Sequence, residues 1–223
     1  MGSKQSKYHH GDLRRMLISN AEEIIAKQGL EALTLRLLSK RIGVSHTAAY
    51  RHFKNKHELF CALALEGFKE VENRLERLKA GPDRSPLEVI RATGQVYVEF
   101  ALENPARYRV MFGHVLLNQE RPPELRQAAR QTFGNLLSAI QKGQEMGLLR
   151  AGDPLELTSV GWAMAHGICR LLIDGQLMIK KDGQVSPALF TSNSSASADQ
   201  DTKRYIKTAL DAMTAGLMKP GSG

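Results

Sequence analysis

One short segment of the chain carries side chains suited to contact with a nucleic acid. If residues 46–53 form a helix, positions 47, 50, 51 and 54 share the face opposite its apolar residues. Cations and hydroxyls bind phosphates, and a slim helix without acidic residues can lie against base edges in the major groove of DNA. The sequence therefore predicts a DNA-recognition helix with the following contact residues: Ser45, His46, Thr47, Tyr50, Arg51 and Lys54.

The neighbouring residues predict the elements that position this helix. Thr34 is a favourable N-cap for a preceding helix, and Leu33 and Leu38 have the spacing of a hydrophobic staple. Gly43 can end that helix, and Ser45 can cap the next one. Two short helices joined by a tight glycine turn form a helix-turn-helix.

The basic residues are concentrated at the start of the chain. Residues 1–56 hold 11 Lys and Arg against 4 Asp and Glu, a net charge of +7 out of the +8 of the whole chain. Lys56 falls at the start of a fourth helix, where unpaired N–H groups also favour a phosphate. A basic leader could extend the DNA footprint as an arm, through Lys4, Lys7, His9, His10, Arg14 and Arg15.

Helical periodicity extends along almost the whole chain, with no strand of useful length, so we expect an all-α fold of about nine helices. Asp12 is the expected N-cap of the first helix. The domains predicted are 1–56, with a linking helix at about 55–79, and 80–223; residues 180–200 read as a loop. The helices are expected at about 12–28, 34–42, 45–53, 55–79, 86–102, 105–117, 123–146, 154–175 and 201–217.

Composition and motifs argue against several other classes of protein. No apolar run approaches the ~18 residues of a membrane span, and the first residues lack a secretory signal, so a cytoplasmic protein is expected. Cys61 and Cys169 read as core residues. The chain lacks the motifs of hydrolases, phosphate-binding loops and zinc sites, so we predict no enzyme, no cofactor and no metal.

The N-terminal part of the chain resembles the DNA-binding domain of TetR-family transcriptional regulators. The resemblance covers about residues 12–65 and rests on Leu33-Thr34-Leu35-Arg36, Gly43-Val44-Ser45, Tyr50-Arg51-His52-Phe53-Lys54-Asn55-Lys56 and Glu58-Leu59-Phe60. It implies that Thr34, Tyr50 and Lys56 contact the DNA backbone. It also implies that Arg36, His46, Thr47 and Arg51 reach bases or adjacent phosphates. Many relatives have a glycine near the start of this helix, whereas this chain has Ser45-His46-Thr47-Ala48-Ala49, which is bulkier at Thr47 and smaller at Ala49. The operator sequence therefore cannot be transferred from them.

In this family the C-terminal part is usually a helical ligand-binding and dimerisation domain. Trp162, His166 and Gly167 resemble a signature of one TetR subgroup. Trp162 and His166 lie four residues apart, on one face of a helix, and read either as a pocket wall with one polar anchor or as ordinary core. The full set of ligand-binding candidates, any of which could equally be core, is Tyr97, Phe100, Met111, Phe112, Phe133, Trp162 and His166, with Met146 and Met164 in the same pool.

The resemblance also implies that the last two long helices pair with those of a second copy, and Leu210, Met213 and Leu217 have a spacing consistent with that. The leading hypothesis is thus a homodimeric repressor that binds a palindromic double-stranded DNA operator and responds to a small apolar or amphipathic effector. A helical small-molecule-binding protein or enzyme with a basic N-terminal segment is the alternative. The large, near-neutral C-terminal part argues against a third hypothesis, a DNA-packaging protein, because such a protein does not need a second domain with its own core.

Overall fold

The computed structural model describes residues 10–117, 119–179, 185–187 and 200–219. Within these ranges it contains nine α-helices, one 3-10 helix and two three-residue strands, so the predicted all-α fold is confirmed. Lys4, Lys7 and His9 of the predicted arm lie outside the described residues. The helices are α1 His10–Gln28, α2 Leu35–Ile42, α3 His46–His52, α4 Lys56–Lys79, α5 Pro86–Glu103, α6 Pro105–Met111, α7 Pro123–Glu145, α8 Pro154–Ile173 and α9 Gln200–Leu217.

Three local features differ from the sequence predictions. Helix α1 already includes His10, so Asp12 is not its N-cap, and Arg14 and Arg15 are helical. The helix expected at 105–117 ends at Met111 because residue 113 is extended (φ −83°, ψ 162°), and a 3-10 turn follows. Residues 177–179 and 185–187 pair as antiparallel strands β1 and β2, which are too short to show an alternating pattern.

The first compact unit comprises residues up to 68 together with 105–126, so α6 packs with the helix-turn-helix and against α1. The staple residues Leu33 and Leu38 are fully buried in it. Other fully buried side chains of this unit are Leu17, Ile24, Leu59 and Tyr108. Apolar side chains from α1, α2, α4 and α6 therefore share one core that supports α3.

The second unit comprises residues 69–104 and 127–223, and α5 is its central helix, packed against α8 and α9. Gly94 permits the close approach of α9, because a Cβ atom there would lie 2.8 Å from Cδ2 of Leu210. The final helix buries Leu210, Met213 and Leu217, each at most 3% exposed, inside the subunit. These three side chains are therefore not available for contact with a second copy, and the prediction from their spacing is wrong.

Candidate functional site

Helix α2 and the turn after it are fixed by local hydrogen bonds. Thr34 has an extended backbone, and its hydroxyl accepts a hydrogen bond from the backbone N–H of Leu37 at 3.0 Å, as an N-cap does. Gly43 adopts the left-handed conformation (φ 79°, ψ 29°), and its N–H donates to the carbonyl of Ser39 at 3.0 Å. The predicted cap and turn are confirmed, and they set where α3 begins.

Helix α3 buries one face and exposes the other. Ser45 caps it by accepting from the backbone N–H of Ala48 at 3.2 Å. Ala49 and Phe53 are buried, 0% and 2% exposed, whereas Tyr50 is 51% exposed. The structure places the predicted contact residues of this segment together on the exposed side: Ser45, His46, Thr47, Tyr50, Arg51 and Lys54. Thr34 and Arg36, at the start of α2, are exposed as well.

Lys56 lies at the first position of α4 and is half-buried. Its ammonium group lies 3.5 Å from the carbonyl of Glu31 and 5.2 Å from the centre of the Phe60 ring. These contacts restrict the side chain without neutralising its charge. Asn55 caps α4, and the carboxylate of Glu58 accepts from the N–H of Lys54. The positive charge of Lys56 is thus held at a helix N-terminus, where a phosphate is favoured.

The basic residues of α1 and α2 have different surroundings. The guanidinium of Arg14 lies 5.3 Å from the centre of the Phe53 ring, so Arg14 supports the C-terminal end of α3. Arg41 forms an ion pair with Glu23 and a hydrogen bond with Asn20. The sequence predicts Arg14 as part of a basic arm. Its contact with Phe53 could not be predicted, because a cation–π contact between separate segments leaves no local signal in the sequence.

Three of the proposed ligand-binding residues lie together in the second unit. The Tyr97 hydroxyl is 3.1 Å from Nδ1 of His166, and the ring centres of Trp162 and His166 are 5.2 Å apart. Phe100 is fully buried in the same unit, with Arg74 over its ring. Phe133 is half-buried there. A part-exposed aromatic cluster with one imidazole could orient a polar group of a small molecule.

Met111 and Phe112 belong to the first unit instead. Phe112 contacts Phe68 edge-to-face with ring centres 5.7 Å apart, and it lies 5.0 Å from the ring centre of Tyr108. Met111 is 7% exposed. Both side chains thus contribute to the core around α6.

Burial lowers the pKa of His166 below its ordinary value of 6.5, and the charge of Arg170 lowers it further. The unfolded chain then takes up a proton at a higher pH than the folded protein, so we expect stability to fall as the pH decreases below 6.5. In His166→Gln this component of the decline disappears. Urea unfolding of both proteins between about pH 7 and pH 5.5 measures the difference. The matched control is His46→Gln on the exposed face of α3; equal pH profiles for wild type and His166→Gln would contradict the prediction.

The two cysteines are free thiols and buried, in agreement with their prediction as core residues. Cys61 lies 3.3 Å from Nε2 of His57, a ring nitrogen that is also 2.8 Å from the carbonyl of Glu120. Burial raises the pKa of the Cys61 thiol. A buried, protonated thiol is a weak nucleophile, and this thiol belongs to the packing between α4 and the segment before α7.

None of the helices in the described ranges combines the length and the apolar composition needed to cross a membrane. A capped helix-turn-helix with an exposed, acid-free second helix, joined to a larger helical unit, defines a DNA-binding regulatory protein. The chain belongs to the TetR family. Residues 17–63 match the family described as "Bacterial regulatory proteins, tetR family", and residues 90–192 match "Tetracyclin repressor-like, C-terminal domain".

Individual relatives agree with this assignment. The nucleoid occlusion factor SlmA of Vibrio vulnificus is 30% identical over 152 residues, which cover 68% of this chain and 74% of the relative. Other proteins of that name match over smaller shares of their length, 66% and 50% in two cases. A structure of a protein with unknown function from Rhodococcus sp. RHA1 has 27% identity and a TM-score of 0.74, covering 96% of this chain and 100% of that one.

A further structure is similar in fold. It is that of AibR in complex with isovaleryl coenzyme A and operator DNA, with 16% identity, a TM-score of 0.64 and coverage of 92% and 97% of the two chains. Assignment to the subgroup with Trp162, His166 and Gly167 stays a prediction from the sequence.

Proposed function

We propose that this protein is a cytoplasmic, ligand-responsive transcriptional repressor that binds a palindromic operator as a homodimer. The observation that carries the proposal is the exposed face of α3, which joins hydroxyl, imidazole, phenol and cationic groups without an acid on a helix fixed by Ser45 and Gly43. Arg36, His46, Thr47 and Arg51 are assigned to bases or adjacent phosphates. Thr34, Ser45, Tyr50, Lys54 and Lys56 are assigned to the DNA backbone.

The dimer is supported by an apolar stripe on α8. Val160, Met164 and Leu171 are 52%, 45% and 40% exposed, and their spacing of four and seven residues places them on one helix face. Large apolar side chains exposed together mark an interface. Two copies joined through this face would present two α3 helices to successive major grooves, about 34–36 Å apart on B-DNA.

The effector-dependent part of the proposal is supported by fold similarity and by the second unit itself. AibR, which has the same fold, is described with a coenzyme A thioester and operator DNA bound. In this chain the cluster of Tyr97, Trp162 and His166 supplies apolar surface beside one hydrogen-bonding group. A ligand releases DNA only to the extent that it binds the free form more tightly than the DNA-bound form.

Nucleoid occlusion, the activity stated in the name of the SlmA relatives, is the second candidate function. It is favoured by the 30% identity with the Vibrio vulnificus protein. The two candidates differ in one measurable respect, because a repressor of the proposed kind is released from DNA by a small molecule. If no compound in a broad screen changes the operator binding of this protein, the result would favour the second candidate.

Selection of bound sites from random double-stranded DNA by the purified protein tests the main proposal. We expect a motif with twofold symmetry and half-sites about one helical turn apart. Recovery of sites without symmetry, or of no enriched sequence at low salt, would refute a dimeric operator-binding protein. A screen for compounds that release the selected DNA then tests the effector.

Lys56→Ala should weaken binding to operator and to random DNA by similar factors. A single lost phosphate contact reduces the slope of log affinity against log salt concentration by about one. Fluorescence anisotropy over a salt series measures both quantities. Lys142→Ala, an exposed lysine of α7, is the control and should change neither. A loss confined to operator DNA would instead assign Lys56 to base recognition.

A further inference from the structure

A cavity of about 190 Å³ lies within the second unit, between the end of α4, the first turns of α5 and the middle of α7. Its wall is mainly apolar and includes Leu75, Leu78, Val89 and Ala92. None of the ligand-binding residues predicted from the sequence lines it. It is therefore separate from the cluster around His166.

The volume of the cavity indicates the size of a group that would fill it. An engineered apolar protein cavity of about 150 Å³ binds benzene. A volume of 190 Å³ therefore accommodates one six-membered ring or a branched alkyl group of similar size, with a small substituent.

The polar groups of the lining favour a negative substituent. Arg84 donates through Nη1 to the carbonyl of Leu78 at 2.6 Å, which fixes the guanidinium beside the cavity. It forms no other hydrogen bond with the described part of the chain, so its remaining N–H groups stay available. Thr93 adds a hydroxyl to the same lining. A guanidinium has donors only and matches the geometry of a carboxylate.

The other charged residues of the lining are more exposed than Arg84, so water screens their charges more strongly. Lys79 forms an ion pair with Glu76, and both side chains are more than half exposed, so the pair is screened by water. Asp83 is an exposed residue of the turn between α4 and α5. Two carboxylates lie outside the lining: Glu72 accepts a hydrogen bond from the amide of the lining residue Asn135 at 2.9 Å, and the exposed Glu88 interacts electrostatically with Arg84. Arg84 is half-buried and anchored, and it is the cation that a bound carboxylate would meet.

We propose that this cavity binds a small carboxylic acid with an aromatic or branched alkyl body, and that such an acid is the effector that releases DNA. The inference rests on the proposed function. The ring or alkyl group lies against Leu75, Leu78 and Val89, while the carboxylate accepts hydrogen bonds from Arg84 and the hydroxyl of Thr93.

Three probes of nearly the same shape test the charge of the ligand. Benzoate, benzamide and benzamidine carry a negative, zero and positive charge on one ring. In titration calorimetry with the full-length protein we expect benzoate to bind at least about tenfold more tightly than benzamide. Benzamidine should bind more weakly still. Equal affinities for benzoate and benzamidine, or no binding of benzoate, would overturn the proposal.

Variants of the lining residues test whether benzoate binds in this cavity. Arg84→Gln should weaken benzoate binding by about tenfold or more, while Arg77→Gln, an exposed arginine of α4 outside the lining, leaves it unchanged. Ala92→Trp fills the cavity and should abolish binding. If circular dichroism shows that Ala92→Trp does not fold, Thr93→Val, which removes only the hydroxyl, replaces it and should weaken binding. Unchanged affinity in Arg84→Gln would reject the site.

A competition experiment separates this inference from the proposed function. Operator binding is first measured without any acid, then with benzoate and with cyclohexanecarboxylate. Release by either acid, lost in Arg84→Gln, supports the inference. Binding of the acids without release would refute the effector role while the repressor proposal stands. Failure of the unliganded protein to select any operator would count against the proposed function instead.

Discussion

Val160→Glu combined with Met164→Glu is expected to convert the protein to a monomer and to lower operator affinity by roughly 10² to 10⁴-fold. Both side chains are about half exposed on one face of α8, at 52% and 45%. Paired with the same face of a second copy, they would be buried, and two carboxylates on each helix would then be desolvated without partners. Once the dimer is lost, each α3 binds its half-site independently, and the effective-concentration gain of the linked pair disappears.

Analytical ultracentrifugation and anisotropy measure the two effects on the same samples. The matched control is Leu117→Glu with Met146→Glu, two apolar residues of similar exposure, 54% and 58%, outside α8. This control should remain dimeric and bind the operator with wild-type affinity. A dimer of unchanged stability in the α8 variant would place the interface elsewhere and remove the geometric basis for a palindromic operator.

The elements that position α3 could be predicted from the sequence because their determinants are local. The caps formed by Thr34 and Ser45 depend on bonds to backbone groups only three residues away. The capping box of Ser85 and Glu88 at the start of α5 is equally local, since its partners lie three residues apart. The exposure of Tyr50 follows from helical spacing once Ala49 is placed inside.

The ligand-binding part could not be predicted to the same extent, because it depends on contacts between residues far apart in sequence. An aromatic residue has the same local pattern whether it packs beside α6, as the half-buried Phe112 does, or in the second unit, as the buried Phe100 does. One hydrogen-bond partner of His166, Tyr97, lies 69 positions away in the sequence. Arg84 lies between the helices expected at 55–79 and 86–102. Its hydrogen bond to the carbonyl of Leu78 could not be predicted, because it has no sequence signature.

The packing of α6 with the DNA-binding helices rests in part on an ion-pair cluster that the sequence does not reveal. Arg107 of α6 pairs through Nε and Nη2 with the two carboxylate oxygens of Glu22 on α1, the latter bond being 2.8 Å long. Glu66 of α4 lies 3.9 Å from the same guanidinium. Arg107 and Glu22 are only 18% and 23% exposed, so water screens the pair incompletely.

Arg107→Met is therefore expected to cost about 2 kcal/mol of the free energy of unfolding, between the values for exposed and fully buried pairs. The cost arises because Glu22 and Glu66 keep their charges in a part-buried site that has lost its cation. Glu22→Leu combined with Arg107→Met should be more stable than Arg107→Met alone, since one unpaired carboxylate is then also removed. Urea unfolding of the wild type, both single variants and the double variant measures the coupling energy.

The same cycle on Arg41 and Glu23, an ion pair of the same unit with side chains 30% and 54% exposed, is the control. It should give a coupling energy of about 0.5 kcal/mol or less, because water solvates either charge after its partner is removed. Purely additive losses in the Arg107 cycle would show that the guanidinium contributes packing without electrostatic coupling. A marked coupling would show instead that α1, α4 and α6 are held together by charge, so that neutralising Arg107 loosens the support on which α3 rests.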